Sequence, residues 1–285
     1  IGHDRNTSFG PDRKGDFFQE QRFVTVLDKL YIPHPLNENG LLQFQPEGGL
    51  YWKDYFDENF LDAVVWSAGA SVREKDSKPV SLSAKYLFNR IRYPSNAEIT
   101  QSVHQASAAV TMIQNGSIEH QLHTLLEWKN YDERKSLEQN AVFSDEARKD
   151  FRYGFGYQLF GQLNNAAAIY WNADWYKNDS NDIFLNYSDY ESVLTSATGV
   201  IRISDRINQI FYGSFEYKEY DDRIFQFNSV KPQLDRIYAG GSLTEYRFTK
   251  TFSVIFSFRY VENTSTNVSQ NYSGSDMKLS SRFLF

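Results

Sequence analysis

Along most of this chain apolar and polar residues alternate with a period of two, the spacing of a strand whose two faces meet different surroundings. From Phe151 the odd positions read Phe151, Tyr153, Phe155, Tyr157 and Leu159, and the even ones Arg152, Gly154, Gly156 and Gln158. Ile169, Trp171, Ala173 and Trp175 alternate with Tyr170, Asn172, Asp174 and Tyr176. Val80, Leu82, Ala84, Tyr86 and Phe88 oppose Ser81, Ser83, Lys85, Leu87 and Asn89, and Phe252, Val254, Phe256, Phe258 and Tyr260 oppose Ser253, Ile255, Ser257 and Arg259. Leu42, Phe44, Leu50 and Trp52 alternate with Gln43, Gln45, Glu47 and Lys53, and Pro46, Gly48 and Gly49 predict a bulge or edge there. Half-buried strands of a soluble sandwich alternate in the same way, so the connections have to separate the two architectures.

Tight turns at 75–79, 115–117, 163–165, 205–206 and 249–251 alternate with longer polar links at about 94–100, 134–147, 179–187, 222–233 and 263–272. Short connections at one end and long ones at the other describe an up-and-down meander in a membrane barrel. The strands expected, counted back from the carboxyl end, are 272–285, 252–263, 234–248, 207–221, 188–204, 166–178, 148–162, 118–133, 101–114, 80–93, 61–74, 41–53 and 17–30. Bacterial single-chain barrels have an even number of strands, so residues 1–10 are expected to add one more, for about 14 strands, with 12 as the alternative count. The expected fold is therefore all-β: a transmembrane antiparallel up-and-down β-barrel occupying residues 1–285 as a single domain, with short periplasmic turns and longer extracellular loops.

Composition agrees with this reading. The chain is 16% aromatic, which argues against disorder, yet only 41% hydrophobic, with a mean hydropathy of -0.57 and no apolar run long enough for a membrane helix. A β-barrel crosses with alternating strands, so its average hydropathy looks soluble. A net charge of -6 argues against a nucleic-acid partner, and the absence of Cys excludes disulfides and thiolate chemistry. The chain opens at Ile1 without a charged-then-apolar leader, so a targeting segment is expected to have been removed or to lie upstream.

At the carboxyl end Met277, Leu279, Phe283 and Phe285 share one parity, with Lys278, Ser280 and Arg282 on the other. This strand resembles the C-terminal recognition signal of bacterial outer-membrane barrels, Ser280 standing where glycine is usual. The resemblance implies a bacterial outer-membrane location and barrel-insertion machinery as a partner, with Phe283 and Phe285 as the assembly signal. Outer-membrane lipids and lipopolysaccharide are then the surroundings, and periplasmic or surface proteins are further expected partners.

A barrel of this width leaves a lumen to be lined. The lining candidates are Lys85, Arg152, Asp174, Arg202, Glu216, Lys218, Arg259, Lys278 and Arg282, which either pair across the lumen and rigidify it or meet a cargo. Trp52, Trp66, Trp128, Trp171, Trp175, Tyr212 and Tyr260, with Tyr86, Tyr131 and Tyr217, are candidates for the aromatic girdles at the membrane interfaces.

The strand-end phrases Trp128-Lys-Asn-Tyr-Asp-Glu-Arg134, Tyr217-Lys-Glu-Tyr-Asp-Asp-Arg223 and Phe258-Arg-Tyr-Val-Glu-Asn263 resemble those of export-type barrels of Gram-negative bacteria. These include the exopolysaccharide-export barrels and the surface lipoprotein assembly modifiers. The latter carry a periplasmic helical-repeat domain that has no counterpart in these residues. The resemblance implies passage or export of a hydrophilic cargo, such as a polysaccharide, protein or small solute, together with periplasmic partners. A passive diffusion porin, or a barrel that anchors or sheathes another component of a complex, is the alternative.

Outer-membrane phospholipases resemble this class in fold, but none of His3, His34, His104, His120 and His123 stands in a His-x-Ser arrangement. His120 and His123 have opposite parity and are expected on opposite faces, unable to share a metal. Glu216, Glu219, Asp221 and Asp222 cluster at an outer loop and read as a solvated acidic run, with a divalent-cation site or part of a protease-like rim as the alternatives, and no P-loop or Gly-x-Ser-x-Gly is present. The expectation is a barrel without catalytic residues, metal or cofactor, an outer-membrane hydrolase being the alternative from another class.

Overall fold

The computed structural model describes residues 2–4, 21–31, 34–35, 42–55, 62–74, 79–114, 117–138, 142–183, 188–221 and 232–283. They form β1 (Gly2–Asp4), β2 (Gln21–Tyr31), β3 (His34–Pro35), β4 (Leu42–Tyr55), β5 (Ala63–Glu74), β6 (Val80–Arg92), β7 (Gln101–Gln114) and β8 (Ile118–Leu137). There follow β9 (Phe143–Asn164), β10 (Ala167–Ser180), β11 (Tyr190–Arg202), β12 (Ile207–Tyr220), β13 (Leu234–Arg247), β14 (Phe252–Ser265) and β15 (Tyr272–Phe283). All belong to one sheet in which each strand pairs antiparallel with its neighbour in the chain, except that the two-residue β3 sits beside β4, off the path. The path runs through fourteen strands, counting the three-residue β1 that pairs with β2, and β1 also lies beside β15. This is the up-and-down barrel that the alternation predicts. Among the described residues no helix is long and apolar enough to cross a membrane.

The register converts sequence parity into two faces. Glu47 lies opposite Gly69, Ser71 opposite Lys85, Lys85 opposite Ser107, Gln105 opposite Glu127 and Glu127 opposite Arg152. Directly opposed residues share a face, so these polar positions line one wall, the lumen side. Leu82, Leu122, Phe155 and Phe211 have the other parity and stand more than half exposed, which is the condition of side chains that meet lipid. Solvent-excluded apolar side chains are few, with Ala63 and Val103 the buried hydrophobics among the described residues. What holds the fold is the continuous strand ladder with its cross-strand pairs, since every backbone group in the membrane must be satisfied by a neighbouring strand.

The connections alternate as expected: β5–β6, β7–β8, β9–β10, β11–β12 and β13–β14 join by short turns, and the other end carries the longer links. One expected loop differs. Residues 134–147 are mostly strand, because β8 and β9 run to 20 and 22 residues while most of their neighbours have 11 to 14. About ten residues cross a membrane, so this hairpin projects well beyond it. It is held by the pairs Lys135↔Ala147 and Leu137↔Phe143, and residues 181–183 add to its flank through the Asn181 N–H on the Lys149 carbonyl and the Ile183 N–H on the Leu137 carbonyl, both 3.0 Å.

Candidate functional site

The site follows from the lumen parity of β8 to β12. Glu127 comes from β8, Arg152 from β9, Tyr176 from β10, Tyr190 and Ser192 from β11, and Glu216 and Lys218 from β12. Each strand contributes every second residue to this wall, so five adjacent strands build one continuous polar surface. Glu127 takes Lys129 Nζ at 3.0 Å and Arg152 Nη1 at 3.4 Å on Oε1, and the Gln105 amide on Oε2 at 2.5 Å. The Arg152 guanidinium lies 4.8 Å from the centre of the Tyr176 ring and donates from Nη2 to the Tyr190 hydroxyl at 2.7 Å. Lys218 stands 4.5 Å from the centre of the Tyr190 ring and 3.3 Å from Glu216 Oε1. Glu216 also accepts from the hydroxyls of Ser192, at 2.8 Å, and Tyr176. Cation and anion alternate along the wall, with tyrosines as spacers that satisfy both.

A second group stands on the same wall. His123 of β8 and Asp174 of β10 meet at 2.9 Å across the intervening β9, which is possible because β9 carries Gly156 between them. A Cβ on Gly156 would lie 1.9 Å from Asp174 Oδ1 and 2.7 Å from the His123 ring. Asn172 donates to the other Asp174 oxygen at 2.5 Å and accepts from Ser196, extending the chain of polar contacts to β11.

The structure brings together many of the lining candidates. Arg152, Asp174, Glu216 and Lys218 lie on one wall, and Lys85 shares the lumen parity with Glu47 at 2.7 Å. Arg259 stands opposite Asp276, and Lys278 opposite Ser257, two residues on from Asp276. Arg202 has the lumen parity but lies at the short-turn end, paired with Asp205 at 2.7 Å. The side chains of Arg282 and Phe283, and all of Phe285, lie outside the described residues. Trp52, Trp66, Trp128, Trp171, Trp175, Tyr86, Tyr217 and Tyr260 have the outward parity, and Trp128 stacks on Phe151 at 5.3 Å.

Tyr212 and Tyr131 are corrections to the expected girdle. Tyr212 shares its face with Glu216, its hydroxyl reaching the Phe258 carbonyl at 3.4 Å over Gly241, where a Cβ would lie 2.5 Å from that hydroxyl. Tyr131 has the parity of Glu127 and lies between Arg134 and Arg148, 5.6 and 5.3 Å from the ring centre, donating to Asp150 at 3.3 Å. In both cases the parity of the position places the ring inside, where residue type alone suggests the girdle. His120 and His123 do lie on opposite faces, His120 hydrogen-bonding outward with the Tyr157 hydroxyl at 2.6 Å. Sequence reasoning left out Glu127, Tyr176, Tyr190 and Ser192. Parity would have found them as lumen residues, but their mutual contacts depend on register.

At the long-loop rim Arg148 and Asp150 form a two-pronged pair, both bonds 2.9 Å, and Asp182 is 5% exposed beside them. Asp189, in the link between β10 and β11, accepts from the Ser180 N–H at 2.6 Å. Burial pushes its carboxyl up to about 6; the Ser180 bond opposes the rise and the charges of Asp179 and Asp221 add to it. The acidic run expected at 216–222 divides: Glu216 is a wall residue, Asp221 pairs with Lys177 at 3.5 Å, and Asp222 lies outside the described residues.

No protein-family model and no curated protein matches this sequence. Among solved structures the chain is similar to in-vitro folded OmpT, an outer membrane protein of Vibrio cholerae, with a TM-score of 0.52, 11% identity, and coverage of 93% of this chain and 97% of that one. It also matches the CymD monoaromatic hydrocarbon channel (TM-score 0.43, 8% identity, 92% and 87% covered) and LpxR from Salmonella typhimurium (TM-score 0.37, 9% identity, 78% and 88% covered). The likeness to OmpT shows the fold, that of an outer-membrane β-barrel. The expectation that the chain is not an enzyme is corrected here. The likeness to OmpT is one of fold, and a fold does not fix the chemistry grafted on it, so enzymatic activity is compatible with this structure.

Proposed function

We propose that this barrel passes a hydrophilic cargo across the outer membrane through its lumen. The observation that carries the reading is the continuous polar wall of Glu127, Arg152, Tyr190, Lys218 and Glu216, set back to back with an apolar outer surface. Paired charges and hydroxyls hydrogen-bond water and sugar-like or peptide-like solutes while leaving little net charge to trap an ion. The resemblance of the strand-end phrases to those of export-type barrels supports a polymeric cargo delivered by periplasmic partners, with diffusion of small solutes as the simpler form of the same passage.

The test is uptake into proteoliposomes that contain the folded chain, with uncharged sugars of increasing size. Swelling that falls off with solute size is the expected result. Folded barrels that admit none of the sugars, including the smallest, would overturn the reading.

A further inference from the structure

The short-turn end of this acidic chain carries a local surplus of positive charge. The turns at 203–206 and 248–251 close β11 onto β12 and β13 onto β14, and the Arg247 N–H donates to the Arg206 carbonyl at 2.8 Å, fixing one turn beside the other. Between them lies a cleft of about 480 Å³ whose lining includes Arg206, Arg247, Lys250, Phe248 and Phe252. Two acids also border it, and both are engaged. Asp205 holds Arg202 at 2.7 Å, and Glu245 accepts from Ser253 at 2.9 Å, Asn208 at 3.0 Å and Arg247 at 3.3 Å. The side chains of Arg206 and Lys250 have no acidic partner among the described residues.

The cleft is also the foot of an apolar track. Phe248 and Phe252 stack with ring centres 5.5 Å apart, and Tyr246 meets Phe248 edge-on at 4.7 Å. Tyr246, Val254 and Phe256 carry the outward parity up the wall from there, with Tyr246 and Phe256 exposed to the lipid side. Arg247 carries the lumen parity, whereas Arg206 and Lys250 stand in the turns beside the outward Phe248 and Phe252, and cations beside aromatics at the end of a spanning strand occupy the headgroup level of a bilayer.

We propose that this cleft holds the phosphate of a periplasmic-leaflet phospholipid, with Arg206 and Lys250 as its charge partners and Phe248 and Phe252 against the glycerol and first acyl methylenes. A free phosphate or an acidic peptide would use the cations and leave the aromatic track empty. An anionic amphiphile uses both features.

Native mass spectrometry of the detergent-purified full chain tests this, with titration by phosphatidylglycerol, by diacylglycerol of the same chains, by inorganic phosphate and by a hexa-aspartate peptide. The expected result is retention of phosphatidylglycerol alone, with affinity lowered about tenfold or more in an R206Q/K250Q variant, as loss of charge-assisted contacts to phosphate requires. An R134Q/K135Q variant at the opposite end should bind as the unaltered chain does, and heat-modifiable gel mobility should show all three folded. Equal lipid binding by the unaltered chain and R206Q/K250Q, or equal loss in both variants, would overturn the proposal. Inorganic phosphate binding as tightly as the lipid would assign a free-anion site instead, and tighter binding of the peptide would assign a protein-docking surface.

Discussion

At the scale of single residues the wall depends on glycines as much as on charges. Gly154 lies under Tyr176, and a Cβ there would meet the Trp175 carbonyl oxygen at 2.4 Å and Tyr176 Cβ at 2.8 Å. Gly156 lies under the tips of Asp174 and His123, which can swing away. G154A therefore forces backbone to move and should destabilise the barrel by about 1–3 kcal/mol, with G156A costing less and acting by separating His123 from Asp174. Urea unfolding in lipid vesicles, followed by tryptophan fluorescence, measures both; a larger loss in G156A would mean that the pair is rigidly held. The alternation of Gly154 and Gly156 with Phe151, Tyr153, Phe155 and Tyr157 is visible in the sequence, but the reason for it is not. The side chains that need the space belong to β8 and β10, and only the register brings them over β9.

At the scale of elements the account rests on parity. Gln121 and Leu122 are adjacent on β8, midway through its membrane crossing, with Leu122 53% exposed on the outer face. L122K should cost about 2–4 kcal/mol in a bilayer, the depth-dependent penalty of a cation near the midplane, whereas Q121K on the lumen side should fold with nearly unchanged stability. Similar losses from both substitutions in the same unfolding assay would contradict the assignment of faces. Parity was legible from sequence, which is why the strand bounds agree to within a few residues over β5 to β7 and β10 to β14. The extended β8–β9 hairpin was not, because Asp132 to Lys135 and Asp145 to Lys149 are charged on both faces, and outside the membrane neither lipid nor core imposes an alternation. The link from β10 to β11 gives a pH prediction. Since burial raises the Asp189 carboxyl to about 6, its ionised form is the one the fold disfavours. Its stabilising contribution is full below the ordinary carboxylate value of about 4 and is lost as pH rises through about 6. Amide exchange over 181–183, corrected for intrinsic rates, should be slower at pH 4.5 than at pH 7.5, and D189N should remove the difference. A pH difference that persists in D189N would assign it to another group.

At the scale of the whole molecule the two ends differ in charge. Asp179, Asp182, Asp189, Glu191 and Asp221 gather at the long-loop rim, while Arg202, Arg206, Arg247 and Lys250 gather at the short turns. The sequence disclosed the barrel because a lumen and a lipid phase impose opposite demands on successive residues. It named Arg152, Glu216 and Lys218 as lining residues but not the contacts that join them into a wall, since Glu127, Arg152, Tyr190 and Lys218 come from four strands spread over the middle of the chain. It also did not decide between channel and enzyme, because a barrel specifies its two faces and leaves the chemistry of the lumen to a few side chains. The central claim is that this lumen conducts, and single-channel recording from the purified, folded chain in a planar bilayer tests it most directly. The account predicts steady ion-conducting openings, with cation-over-anion permeability falling in E216Q as the wall loses a carboxylate beside Lys218. A heat-modifiable, correctly folded barrel that stays electrically silent at either polarity would contradict it.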